Sequence, residues 1–119
     1  MTKIQNSKQY DLEDRTLKFS KRINDYSRRI SKDIVHYEIL KQLIRAAGSV
    51  GANYIEANEA LSKRDLLVRI KICRKEIKEA RYWLKLTRPQ DELFNVKGDL
   101  IEESTELMRI FGSIVEKIK

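Results

Sequence analysis

Four lysines, Lys71, Lys75, Lys78 and Lys85, are spaced so that a helix sets them in one row, with Tyr82 among them. Ammonium groups in such a row are point charges suited to backbone phosphates, and an aromatic ring between them can stack on an unpaired base. Arg74 and Arg81 fall on one flank of the row, a heptad apart, with Arg88 a heptad further on. RNA or DNA is the ligand class this chemistry fits. The bland reading of the same row is a solvated lysine face.

A second constellation sits close by. Arg45, Ser49, Asn53 and Glu56 form a polar stripe, with Gln42 before them, and Glu76 and Glu79 lie on the other flank of the lysine-bearing stretch. Glu56, Glu76 and Glu79 are the carboxylates that a helical fold brings near its interior. A carboxylate-bridged di-metal bundle also takes Glu-x-x-His pairs from two helices, and no such pair occurs here. One histidine, His36, and one cysteine, Cys73, leave almost nothing for zinc or for Cys/His catalysis. There is no Gly-rich phosphate loop and no nucleophile elbow. The expectation is a structural ion-pair network, with no metal, no cofactor and no enzymatic activity. Cys73 reads as a small buried hydrophobe and His36 as a polar loop residue.

Both constellations need helices to position them. Residues 42–61 form the central one, with Leu43, Ala47, Val50, Tyr54, Ala57 and Leu61 on a single apolar face. This stretch is crowded with Ala46, Gly48, Ser49, Gly51 and Ala52. Each helical glycine costs about 1 kcal/mol relative to alanine, which implies that other helices approach closely. Before it, Asp11 is placed to cap a first helix whose apolar face runs Leu12, Phe19, Ile23, Tyr26, Ile30. Residues 31–36 read as a connection. After it, Ser62 with Asp65 caps a third helix, whose core face is Leu66, Ile70, Cys73, Ile77, Ala80 and Leu84. The flank Ile72, Glu76, Glu79, Trp83 and Leu86 is apolar and acidic together, which suits a second contact. Pro89 ends that helix. Leu93 and Phe94 then pack in the connection, and a fourth helix starts between Asn95 and Asp99.

The fold class that follows is all-α, an antiparallel up-down-up-down four-helix bundle. At 119 residues the chain has room for one domain, residues 11–119, behind a loosely held segment 1–10. A charged fraction of 36% against 41% hydrophobic fits long helices with charged outer faces. The lone cysteine agrees with a reducing compartment, and no apolar run approaches the ~20 residues of a membrane span. A soluble cytoplasmic protein is expected, with no membrane partner. The net charge is +7, and residues 62–89, with ten basic and three acidic side chains, carry an excess as large as that of the whole chain.

The run Arg45-Ala-Ala-Gly-Ser-Val-Gly-Ala-Asn-Tyr-Ile-Glu-Ala57, then Ser62-Lys-Arg-Asp65, Lys75-Glu-Ile-Lys-Glu79 and Tyr82-Trp-Leu84 resembles the four-helix bundle proteins known as 23S rRNA intervening-sequence proteins. The opening Asp11-Leu-Glu-Asp-Arg-Thr-Leu-Lys-Phe19 is similar too, so the likeness covers nearly the whole chain. More distantly the chain is similar to the accessory variability determinant of diversity-generating retroelements. The resemblance implies a cytoplasmic four-helix bundle, and through that distant relative a pentameric barrel that binds nucleic acid and a reverse transcriptase. Together with the apolar flank it implies a closed homo-oligomer, a pentamer, meeting through Ile72, Trp83 and Leu86. Two functions follow from these readings. One is a non-catalytic nucleic-acid-binding or ribonucleoprotein adaptor acting through Lys71, Lys75, Lys78, Tyr82, Lys85, Arg74 and Arg81. The other is an oligomeric scaffold for protein partners, with the lysines serving solubility.

Overall fold

Four apolar stripes become four helices. The computed structural model describes residues 3–119, with side chains from residue 12 onward. The helices are α1 (Lys3–Arg29), α2 (Ile34–Asn58), α3 (Lys63–Leu86) and α4 (Phe94–Ile118), with a 3-10 turn at Asp91–Leu93. The described residues contain no strand. Connections of a few residues favour antiparallel consecutive helices, and one cross-helix bond agrees: Asn58 at the end of α2 meets Glu13 in the first half of α1. α2 packs against both α1 and α3, α4 packs mainly on α3, and of the neighbouring helices α1 and α4 touch least. The fold is an all-α four-helix bundle.

The core is one cluster. Leu43, Ala47, Val50, Tyr54 and Ala57 of α2 are buried, as are Ile70, Cys73, Ile77, Ala80 and Leu84 of α3. Phe19, Ile23 and Tyr26 from α1 and Leu100, Leu107 and Phe111 from α4 close it. Ser62 caps α3 as its spacing predicts, its hydroxyl accepting from Asp65 N at 3.0 Å. Several boundaries differ from the expectation. α1 does not start at Asp11 but extends back to Lys3, because no glycine or proline interrupts the polar residues before it. Of the segment 1–10, residues 1 and 2 lie outside the described residues. α2 stops at Asn58, so Leu61 falls in the connection and is 98% exposed, not part of the core face. Leu93 is buried, whereas Phe94 opens α4 and points to solvent.

Close approach explains one of the glycines in α2. A Cβ on Gly51 would sit 3.2 Å from Thr16 Oγ1, so α1 passes hard against this turn. Gly48 has only Ser20 Oγ at 4.0 Å, and Ala52 is exposed.

His36 is the largest departure from the sequence reading. Asp33, extended, caps α2 by accepting from His36 N at 2.8 Å, so His36 lies inside the first turn and is only 6% exposed. Its Nε2 accepts from Arg88 N at 3.0 Å, which places the ring hydrogen on Nδ1, donating to Ser31 O at 2.6 Å. The ring joins the α1–α2 connection to the α3–α4 connection. Gln90 repeats the tie, accepting from Ser31 N at 3.0 Å and donating to Arg29 O at 2.9 Å.

Two stability outcomes follow. Gly51→Leu is expected to lower the melting temperature, overpacking costing ~1–3 kcal/mol, whereas Gly98→Ala, with nothing within 4 Å of the added Cβ, should raise it by adding about 1 kcal/mol of stability. In urea titrations His36→Ala should lose about 1–3 kcal/mol, because it strands the amide of Arg88 and the carbonyl of Ser31. A midpoint equal to wild type would show that water replaces both bonds at no cost.

Candidate nucleic-acid interface

Buried Ile70, Cys73, Ile77 and Leu84 turn one side of α3 to the core and so fix what faces out. Lys71, Lys75, Lys78, Tyr82 and Lys85 are all exposed on the opposite side. Successive members of such a row stand about 5–6 Å apart, and the row runs ~21 Å from Lys71 to Lys85 at 1.5 Å per residue. None of the four lysines makes an ion pair among the described residues. Arg74 lies at the rim, lining a shallow depression with Lys71, Lys75 and Lys78. Arg81 departs from the row: it turns toward α4, where Nε donates to Thr105 Oγ1 at 2.7 Å.

The other flank of α3 is turned onto α2. Arg45 pairs with Glu76 at 3.4 Å and also with Glu79. Glu76 is buried, its side chain 10% exposed, while that of Arg45 is 49% exposed. A bond from the indole N–H of Trp83, at 3.0 Å, and the Arg45 guanidinium hold the Glu79 carboxyl below the usual carboxylate range. The same Arg45–Glu79 pair raises the guanidinium further above its ordinary value. Asn53 donates to Ser49 O and Oγ, and its carbonyl accepts from Arg69 Nη1 at 3.0 Å. Arg69 was not foreseen. Glu56, by contrast, is exposed, and its side chain has no hydrogen bond or ion pair among the described residues.

This network reaches the outward row. Glu79 fixes the indole of Trp83, and Tyr82 stands edge-on to that indole, ring centroids 5.1 Å apart and planes at 74°. Tyr82 is 57% exposed. The arrangement is a line of ammonium groups outside any ion pair among the described residues, with one braced aromatic ring. Its chemistry suits polyanions. The Cys73 thiol is pushed up to about 12 by burial and donates to Val50 O at 3.5 Å, the reverse of a reactive thiolate. Among the described residues no three His, Cys, Asp or Glu side chains cluster as metal ligands, and no helix is long and apolar enough to cross a membrane.

The flank Ile72, Trp83 and Leu86 is less open than its sequence suggests. Its acids face Arg45, and Trp83 packs partly against the core, leaving Leu86 exposed and Ile72 half-buried. Exposed apolar side chains occur on every helix, among them Leu17 of α1, Ile55 of α2, Val68 of α3 and Phe94 of α4.

Arg45→Ala should destabilise the fold by on the order of 1–2 kcal/mol, below the 3–5 kcal/mol of a fully buried pair because half of Arg45 faces water. A folded carboxyl pKa depressed below its unfolded value stabilises above that unfolded value and loses the effect as pH falls through the folded one. Thermal melts of Arg45→Ala and wild type should therefore differ at neutral pH and converge below the ordinary carboxylate range. A gap that widens in acid would contradict the pairing.

The sequence pattern of the family described as 23S rRNA-intervening sequence protein matches residues 8–113. The crystal structure of a protein of unknown function from the S23 ribosomal protein family of Bacteroides thetaiotaomicron is similar, with a TM-score of 0.80 and 28% identity, over 92% of this chain and 98% of that one. No curated protein sequence matches the chain. With α2 and α3 wholly and α1 and α4 largely inside the matched region, the chain belongs to the 23S rRNA-intervening sequence protein family.

Proposed function

We propose that the chain is a non-catalytic nucleic-acid-binding protein of the cytoplasm, a ribonucleoprotein adaptor that docks backbone phosphates on the outward row of α3. The observation that carries this reading is the row itself: Lys71, Lys75, Lys78 and Lys85 exposed together, none in an ion pair among the described residues, around a half-exposed Tyr82. A merely solubilising surface would mix signs, as α4 does with exposed Glu102, Glu106, Arg109 and Glu116. Here both carboxylates of mid-α3 are withdrawn to Arg45, and the outer side keeps one sign. The family description names a ribosomal RNA insertion and the structural neighbour a ribosomal protein family, which makes ribosomal RNA the first probe.

Lysine contacts to phosphate carry no sequence information. Affinity is expected to be nearly uniform across single-stranded RNA and DNA of equal length. Four contacts imply a slope of log K against log salt of roughly −3 on a single strand. Tyr82→Ala should weaken single-strand binding by on the order of 1–3 kcal/mol of stacking while leaving the salt slope unchanged. Mobility shifts at low and moderate salt test this, with wild type beside the variant in which all four lysines are changed to glutamate. Loss of binding in that variant, with helicity retained by circular dichroism, is the expected result. Equal binding by both proteins would reduce the row to a solvated surface and leave the protein-scaffold reading in its place.

A further inference from the structure

The outward row of α3 is not evenly charged. Lys71, Arg74, Lys75 and Lys78 line one open depression, and no carboxylate among the described residues lines it with them. Spacings of three and four set each of these cations beside two of the others on the helix surface, where like charges repel. Where Arg45 and Arg15 stand, carboxylates of a facing helix answer them. At this depression none does: the four have no ion-pair partner among the described residues. Lys85 stands apart, beyond Tyr82 and outside the depression. The fold thus gathers repelling charge at one end of the row and supplies no anion for it.

Arg74 gives the cluster its geometry. Arg69 and Arg81, to either side of it on α3, are bonded to neighbouring helices, donating to Asn53 at 3.0 Å and to Thr105 at 2.7 Å. Arg74 donates to no group among the described residues. It is nevertheless half-buried, because its stem runs against α4 at Gly112, where an added Cβ would lie 4.0 Å from Arg74 Cδ. Packing of the apolar stem while the charged head stays in water is ordinary for arginine. It leaves a planar fork of N–H donors beside three ammonium groups, the combination suited to a phosphate with several free oxygens.

A phosphodiester within a strand brings a single charge and two free oxygens. A phosphate at the end of a strand brings close to two charges at neutral pH and three free oxygens. Two of these can lie side by side on the Arg74 fork, and the third is left for a lysine. We propose that the depression is a subsite for the phosphorylated end of a single strand, a phosphomonoester, and that the strand leaves it along the row toward Tyr82. That ring comes one turn after Lys78. The inference rests on the reading of the row as a nucleic-acid interface and adds to it a preference for ends, not for sequences. Tyr82 and Lys85 hold the body of any strand; the depression sets where along the strand the protein sits.

The test is fluorescence anisotropy of the full chain with internally labelled single-stranded RNAs of one sequence, carrying a phosphate at one end, at the other, or at neither. A phosphorylated end should bind on the order of ten-fold tighter than hydroxyl ends, the worth of about one added charge-assisted hydrogen bond. Whichever end shows the gain is the one the depression takes. The gain over the hydroxyl-ended strand should shrink as pH falls through about 6, where the monoester takes up a proton while lysine and arginine keep theirs. Arg74→Ala should weaken both kinds of strand, the phosphorylated one more, so that their ratio falls toward one. Arg74→Lys, which keeps the charge and removes the fork, should restore affinity for hydroxyl ends without restoring the ratio. Lys85→Ala, outside the depression, should weaken both by the same factor. Equal affinity for all three RNAs, or a ratio that survives Arg74→Ala, would overturn the end subsite and leave the row as a general phosphate-binding surface. If none of the three binds at low salt, the row is not an interface, and the subsite falls with it.

Discussion

Pro89 sets the constraint on which the rest of this bundle depends. It cannot continue the α3 ladder, so the last carbonyls of that helix need partners from outside it. Leu84 O receives both the amide and the hydroxyl of Thr87, the latter at 2.6 Å, and Tyr26 of α1 bonds the same hydroxyl at 2.8 Å across the core. Lys97 reaches back from α4 to Thr87 O at 2.6 Å, and burial together with Arg88 lowers its pKa. His36 collects the amide of Arg88. The helix break thus ties all four helices at one end. The position of His36 also fixes the level of α2 against α3. That level brings Arg45 opposite Glu76 and Glu79, and through Glu79 it braces Trp83 and Tyr82.

The electrostatic character of the surface comes from the same registration. α3, with nine basic and three acidic side chains, has a basic excess nearly as large as that of the whole chain, yet its acids Glu76 and Glu79 are turned inward to Arg45. On the opposite corner Arg15 of α1 pairs with Glu103 at 2.7 Å and lies 3.5 Å from Glu106 of α4. Ion pairs half open to water contribute little to stability. Their larger effect is to sort charge, leaving the outer side of α3 with a single sign.

The core was legible in the sequence because helical periodicity reports directly which side of each helix is apolar. The stripe Leu43, Ala47, Val50, Tyr54, Ala57 is buried throughout, and the cap at Ser62 lies where a local rule puts it. Arg45 with Glu76 and Glu79 was also readable, since opposite charges beside adjoining core stripes have few other places to go. His36 was not, because its partner amide lies 52 residues away and its role exists only once both connections meet. Glu56 was misplaced by treating a stripe as uniform, when α2 and α3 meet at Arg45 but leave the outer edge of Glu56 to water. The small residues misled in a similar way. A pattern says that Gly48 and Gly51 are small; only the path of α1 shows that Gly51 is filled by Thr16 while Gly48 faces open space.

The same registration bounds what the outer side of α3 could read. One α3 row, ~21 Å long, offers phosphates no geometry beyond its own spacing, and an exposed aromatic ring stacks on any base. If nucleic acid docks there, the lysines set how tightly a strand is held and not which strand, so a preference among sequences would have to come from surfaces outside the row.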